Sequence, residues 1–155
     1  MDTSVPGYSH TQKSPLCLLL YGSAFALLVG AWFTHDEFPI DLTLGASGFL
    51  TLILAMAFHH LTVEEQGESL AIRFGPLPIF SRTVRYGDIE KVEIGRTLFL
   101  DGWGIHWSIR GGWLWNLWGR DCVVVHLKKG VLRIGTDDAG SLACWLKEKI
   151  GQEGN

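Results

Sequence analysis

Charge is missing from two long stretches of this 155-residue chain, and that absence organises everything else. Leu16–Phe33 reads LCLLLYGSAFALLVGAWF and Leu42–Phe58 reads LTLGASGFLTLILAMAF, neither with an Asp, Glu, Lys or Arg. Basic residues are also missing from the linker Thr34–Asp41, which holds Asp36, Glu37 and Asp41. Cysteine is scarce. Cys17, Cys122 and Cys144 form an odd set without CxxC spacing, which argues against a disulfide framework or a zinc knuckle and for reduced, buried thiols. No motif gathers a nucleophile, a base and an acid. His106, His126, Cys122, Asp121 and Asp101 are available, but strand spacing does not force them together, so an enzyme is not expected. A concentrated basic track is lacking as well, which argues against nucleic acid as a partner. No cofactor and no metal are expected.

What the chain does have is apolar length. As helices the two runs rise about 27 and 25 Å, close to a hydrocarbon core of roughly 30 Å. They hold nine and eight residues of the Leu/Ile/Val/Phe kind, which outweigh the small polar Ser23, Ser47, Thr43 and Thr51 in insertion energy. The reading is a transmembrane helical hairpin over 16–60, with the membrane as an integral partner. Two alternatives compete: a pair of buried helices in a soluble fold, and a cleaved signal peptide for the first run. The latter would need a shorter apolar region and a small-x-small site before the acidic loop. Lys13 precedes the first run and Arg73, Arg82 and Arg85 follow the second, so the positive-inside rule places both termini in the cytoplasm.

Residues 1–15 are polar with two prolines and read as a flexible tail, and 151–155 as a disordered one. Gly22, Ala26 and Gly30 make a small-xxx-small stripe on the first helix, while Gly45 and Gly48 offer small residues on the second. Their partner is either the other helix of the hairpin or a second copy of the chain. His59, His60, Glu64 and Glu65 at the membrane exit read as interfacial polar residues rather than metal ligands.

From Leu61 the period shortens to two. Leu70, Ile72 and Phe74 alternate with Ala71 and Arg73, and Gly67-Glu68, Gly111-Gly112 and Lys129-Gly130 mark turns between strand-like runs. An amphipathic helix over Thr136–Ile150 buries Leu142, Leu146 and Ile150. About seven short strands and one helix make a mainly-β domain over 61–150. Net charge is −3, yet segment 69–134 carries ten Lys/Arg against five acids, a basic body suited to an anionic leaflet.

Tyr86-Gly87-Asp88-Ile89, Ile89-Glu90-Lys91-Val92, Gly102-Trp103-Gly104-Ile105, Gly112-Trp113-Leu114-Trp115-Asn116, Gly119, Val123–Leu127, Gly130 and Ile134-Gly135-Thr136-Asp137 before Leu142 carry a resemblance. Over 61–150 the chain resembles the bacterial pleckstrin-homology-like (PH-like) domains found beside membrane helices. The resemblance implies a bent barrel or roll of seven strands closed by a C-terminal helix, in a bacterial cytoplasmic membrane, with many such proteins lacking an assigned activity. Eukaryotic relatives of that fold bind phosphoinositides through a basic early loop. The corresponding turn here, Gln66-Gly67-Glu68, is acidic, and that role does not carry over.

Five of the seven tryptophans crowd between 103 and 118. Trp103, Ile105 and Trp107 share one strand face, and the strand Trp113–Leu117 is apolar on both. Some of these rings belong to the core. Others suit a partner groove or lipid headgroups, where Trp and Arg are favoured. The expected contact surface is Trp103, Trp107, Arg110, Trp113 and Trp115, and the expected occupant a protein partner, a second copy of the chain, or anionic lipid.

Overall fold

The computed structural model describes residues 7–153, without the side chains of 152 and 153. Two helices, α1 (Leu16–Phe33) and α2 (Ile40–Ala57), pack against each other, and both are long and apolar enough to cross a membrane. Neither is buried within the protein. Only Cys17 and Ala24 of α1 and Gly48, Ala55 and Ala57 of α2 are buried, while Leu18, Leu19, Phe25, Trp32 and Phe33 stand out from the protein. A helix apolar on all sides needs an apolar medium around it. Asp41 falls in the first turn of α2, where a carboxylate suits the helix dipole.

The reading of 1–15 as a tail is corrected. Ser9–Lys13 forms strand β1, antiparallel to β2 (His60–Gln66), in a register running from Ser9 opposite Glu64 to Lys13 opposite His60. Residues 1–6 of that tail lie outside the described residues. The inward side chains of β1 are His10 and Gln12, both polar, so no apolar alternation announces a strand. Tertiary contacts hold it instead. The buried Gln12 amide donates to the Trp118 carbonyl at 2.9 Å, His10 meets Asp137 at 2.6 Å, and the Tyr8 ring lies 5.6 Å from Trp145. The pair of helices is thus the connection between two hydrogen-bonded strands.

β1, β2, β3 (Ser69–Phe74) and β4 (Ser81–Arg85) form an antiparallel sheet in chain order. The second sheet has five strands in the order β5-β8-β9-β7-β6, from β5 (Ile89–Arg96), β6 (Gly104–Trp107), β7 (Trp113–Asn116), β8 (Asp121–Leu127) and β9 (Gly130–Gly135). Nine strands therefore stand among the described residues where about seven were expected. The β6–β7 hairpin joins the sheet through a parallel pairing, Trp113 opposite Leu132 and Trp115 opposite Ile134. It forms one edge, with β5 at the other.

The core lies between the sheets. Leu70, Ile72 and Phe74 meet Val123, Val125, Leu132 and Ile134, and Leu142 and Leu146 from α3 (Ala139–Glu153) close the open end. Helix α3 extends through 153, which corrects the expected tail at 151–153; residues 154 and 155 lie outside the described residues.

Candidate functional site

The joint between helices and sheets is built by Phe58 and Gly75. Phe58 follows α2 and packs 5.2 Å from Phe74 and 5.5 Å from Phe80, so the last turn of α2 is continuous with the β core. Gly75 adopts a φ of +60° and donates its N–H to the His60 carbonyl at 2.6 Å. A Cβ there would overlap the carbonyl oxygens of Met56 and Ala57, so only glycine lets β3 end against the α2 terminus.

The β6–β7 hairpin divides the tryptophans sharply. Residues facing one another across it share a face, and Ile105 pairs with Trp115 while Trp107 pairs with Trp113. The inner pair reaches the core: Trp115 is 8% exposed, with its ring 5.7 Å from Phe74. The outer pair runs past the core's end. Trp107 is 63% exposed and Trp113 45%, touching edge to face at 6.0 Å. Trp103 stacks on Trp118 at 4.8 Å at the base of the hairpin. Of the five residues expected at a contact surface, Trp103, Trp107, Arg110 and Trp113 are exposed and Trp115 is core, which corrects its assignment. The second face of β7 is turned inward too: Leu114 and Asn116 are both buried.

The turn closes as its Gly-Gly pair suggests, with φ of +82° at Gly111 and +88° at Gly112 and the Ser108 N–H donating to the Gly112 carbonyl at 2.9 Å. Arg110 projects from the tip, but its guanidinium turns back to the Arg96 carbonyl at 3.4 Å. Arg133 donates to the Gly111 and Arg110 carbonyls from below. The tip is therefore braced by two arginines.

A third brace carries no mark in the sequence pattern. Asp101 is buried and accepts from the Leu98 N–H, the Ile109 N–H and the Ser108 hydroxyl, each at 3.0 Å. Burial alone would raise its pKa; the Ile109, Leu98 and Ser108 donors outweigh it and hold the carboxyl below the usual range. This carboxylate pins the 3-10 turn Phe99–Asp101 against the hairpin tip and leaves Phe99 and Leu100 pointing outward, 82% and 81% exposed. The exposed pair does leave a trace in sequence, as Leu98-Phe99-Leu100 are three consecutive apolar residues outside any alternation.

The small-residue stripe splits. Gly48 packs tightly, since a Cβ would come within 2.9 Å of Leu28 and 3.2 Å of Leu27, and Gly30 and Gly45 face Leu44 and Ala31 across the hairpin. Gly22 and Ala26 do not: nothing lies within 4 Å of a Cβ at Gly22, and Ala26 is exposed. The packing seam runs instead through Ala24, Leu27, Leu28 and Ala31, displaced from the stripe by the helix rotation that buries Ala24.

The remaining polar clusters are dispersed. Tyr21 faces His59 at 3.4 Å, Arg73 holds Glu64 at 2.8 Å and Lys149 holds Glu65 at 2.7 Å. Burial, then the neighbouring His59 and Lys13 charges, lowers the His60 pKa. Among the titratable groups of the domain, His126 pairs with Glu93 at 2.9 Å, Asp121 with Arg96 at 3.0 Å, and burial pushes the Cys122 thiol up, away from nucleophilic thiolate. Asp121, Asp101, Arg110 and Arg133 lie within electrostatic reach of Cys122, and His106 within that of Asp101. No family model and no curated protein matches the chain, so its function has to be read from the geometry of the hairpin and the joint.

Proposed function

We propose that this chain is a non-catalytic integral membrane protein that holds a PH-like domain at the cytoplasmic face of a bacterial membrane and docks a protein partner on the outer half of the β6–β7 hairpin. Membrane insertion is supported by two helices apolar on all sides and packed only along one seam. The cytoplasmic side is favoured by Lys13 and the arginines of the domain against the acidic linker. The pairing of β1 with β2 puts both ends of the hairpin on one side, in keeping with that orientation. The PH-like reading draws support from two packed sheets closed by the C-terminal helix α3.

One observation carries the docking role. Trp107, Ile109 and Trp113 are exposed on a hairpin end braced by Asp101, Arg110 and Arg133. A solvated turn does not require large apolar rings held rigid, whereas a contact surface gains from both their area and their preorganisation. Photo-reactive benzoylphenylalanine in place of Trp107, in the full-length protein in its native membrane, tests it. A discrete protein adduct, absent when the same probe replaces Lys129, is the expected result. An adduct at twice the chain mass identifies a second copy as the partner. Equal or absent adducts at both positions refute docking at this end.

A further inference from the structure

Phe99 and Leu100 stand exposed on the turn that Asp101 pins to the hairpin, and α1 begins on the other side of Trp103. Trp103 is the link between them. On one side it lines a cleft of about 200 Å³ with Leu16, Cys17 and Leu20 from the first two turns of α1. On the other it lines a smaller cleft, about 100 Å³, with Leu98, Phe99 and Arg120. Trp103 therefore lies between the first turns of α1, where Leu18 and Leu19 are exposed, and the turn that exposes Phe99 and Leu100. The turn that presents the last two is fixed by three hydrogen bonds to Asp101, so their exposure is built into the fold.

We infer that Phe99, Leu100 and Trp103 form a membrane-inserted edge of the β domain, seated in the boundary between lipid headgroups and acyl chains beside α1. This rests on the reading of α1 and α2 as membrane spans. The apolar medium that covers the first turns of α1 also reaches Trp103, which lines a cleft with them, and Phe99 on the far side of that ring. A depth of about 5–10 Å, usual for interfacial segments, is within reach of side chains on a short turn. Charge agrees with an anionic leaflet. Arg120 shares the cleft with Phe99, and Arg110 stands exposed on the hairpin tip that Asp101 joins to this turn, while the linker acids Asp36 and Glu37 sit at the far end of the helices. Trp stacked at the base of the hairpin suits the headgroup level, where its ring is favoured.

The test uses the full-length chain with Cys144→Ser, which removes the one exposed thiol among the described cysteines. Single cysteines are placed by Phe25→Cys in the middle of α1, by Leu100→Cys at the proposed edge, and by Ile94→Cys on β5 at the opposite edge of the sheet. Each carries an environment-sensitive fluorophore, and the protein is reconstituted in vesicles of phosphatidylcholine and phosphatidylglycerol. The expected result is quenching at 25 by lipids with a deep nitroxide, quenching at 100 by lipids with a shallow nitroxide, and several-fold stronger iodide quenching at 94 than at 100. If 25 responds to the deep nitroxide while 100 responds only to iodide, as 94 does, the inserted edge is wrong and the spans stand. If 25 itself responds to iodide and not to lipid, the spans fail and the edge falls with them. Phe99→Cys gives the same readout should the label at 100 perturb the turn.

Discussion

Truncating Trp115 and Trp107 should separate the structural half of the hairpin from the presented half. A buried Trp removes about 150–250 Å² from water, which at about 25 cal/mol/Å² is worth roughly 4–6 kcal/mol. Residual compactness of the unfolded chain reduces this by about 10–40%. Trp115, 8% exposed and against Phe74, sits near that full value. Its indole N–H has no partner among the described residues, so its removal also relieves an unpaired buried donor worth about 1 kcal/mol. Trp115→Ala should then cost about 3–4 kcal/mol, consistent with the ~3–5 of large aromatic deletions. Trp107, 63% exposed, has only about a third of its surface to lose, plus an edge-to-face contact, together about 1–2 kcal/mol. For a domain of this size each kcal/mol moves the melting temperature by about 4–8 °C. Thermal melts of the full-length protein in micelles, followed by near-UV circular dichroism, should therefore fall by roughly 12–30 °C for Trp115→Ala and roughly 4–16 °C for Trp107→Ala. Equal losses would mean that the outer rings are packed rather than presented, and the docking surface would go with them.

Two further outcomes concern the brace and the joint. Asp101 has a lowered pKa in the folded state, so its contribution is complete above the ordinary carboxylate range and is lost as pH falls through its folded value. The protection of the Ile109 amide against exchange, relative to an unstructured amide at the same pH, should fall on acidification below about pH 4, and Asp101→Asn should remove that transition; an unchanged acid profile in the variant would refute the brace. Gly75→Ala meets both a left-handed φ and the Met56 and Ala57 carbonyls, and should lower stability by about 2 kcal/mol or more, read in the same melts. A neutral alanine there would show that the joint gives way.

The helices were legible because uncharged, apolar runs of eighteen and seventeen residues are long enough to span lipid and too apolar to lie bare in water. The β hairpins were legible because glycines and period-two alternation are local signals. Strand β1 was illegible for the opposite reason. Its inward residues are His10 and Gln12, and its partner begins at His60, so nothing within SHTQK marks pairing. The parallel contact of β7 with β9 was equally hidden, since it joins segments that no turn connects. At the site, the excess of tryptophan announced a surface, but which ring lies inside depends on where the core ends. That boundary falls between Trp115 and Trp113, two residues apart on one face. Asp101 could not be read as a brace because its acceptor role is set by backbone groups at 98 and 109.

Residues 14–59 connect two strands that must lie side by side. As a structureless loop, a connection of that length would cost about 3 kcal/mol of closure entropy, against well under 1 for a tight turn. The paired helices return the chain to its starting point and remove that cost, provided they stay paired. Anything that separates α1 from α2, such as a harsh detergent, should then melt the first sheet from its β1 edge. On the proposed insertion the bilayer acts as a folding cofactor for the β domain, and stability measured on a version cut free of the helices would belong to a different molecule.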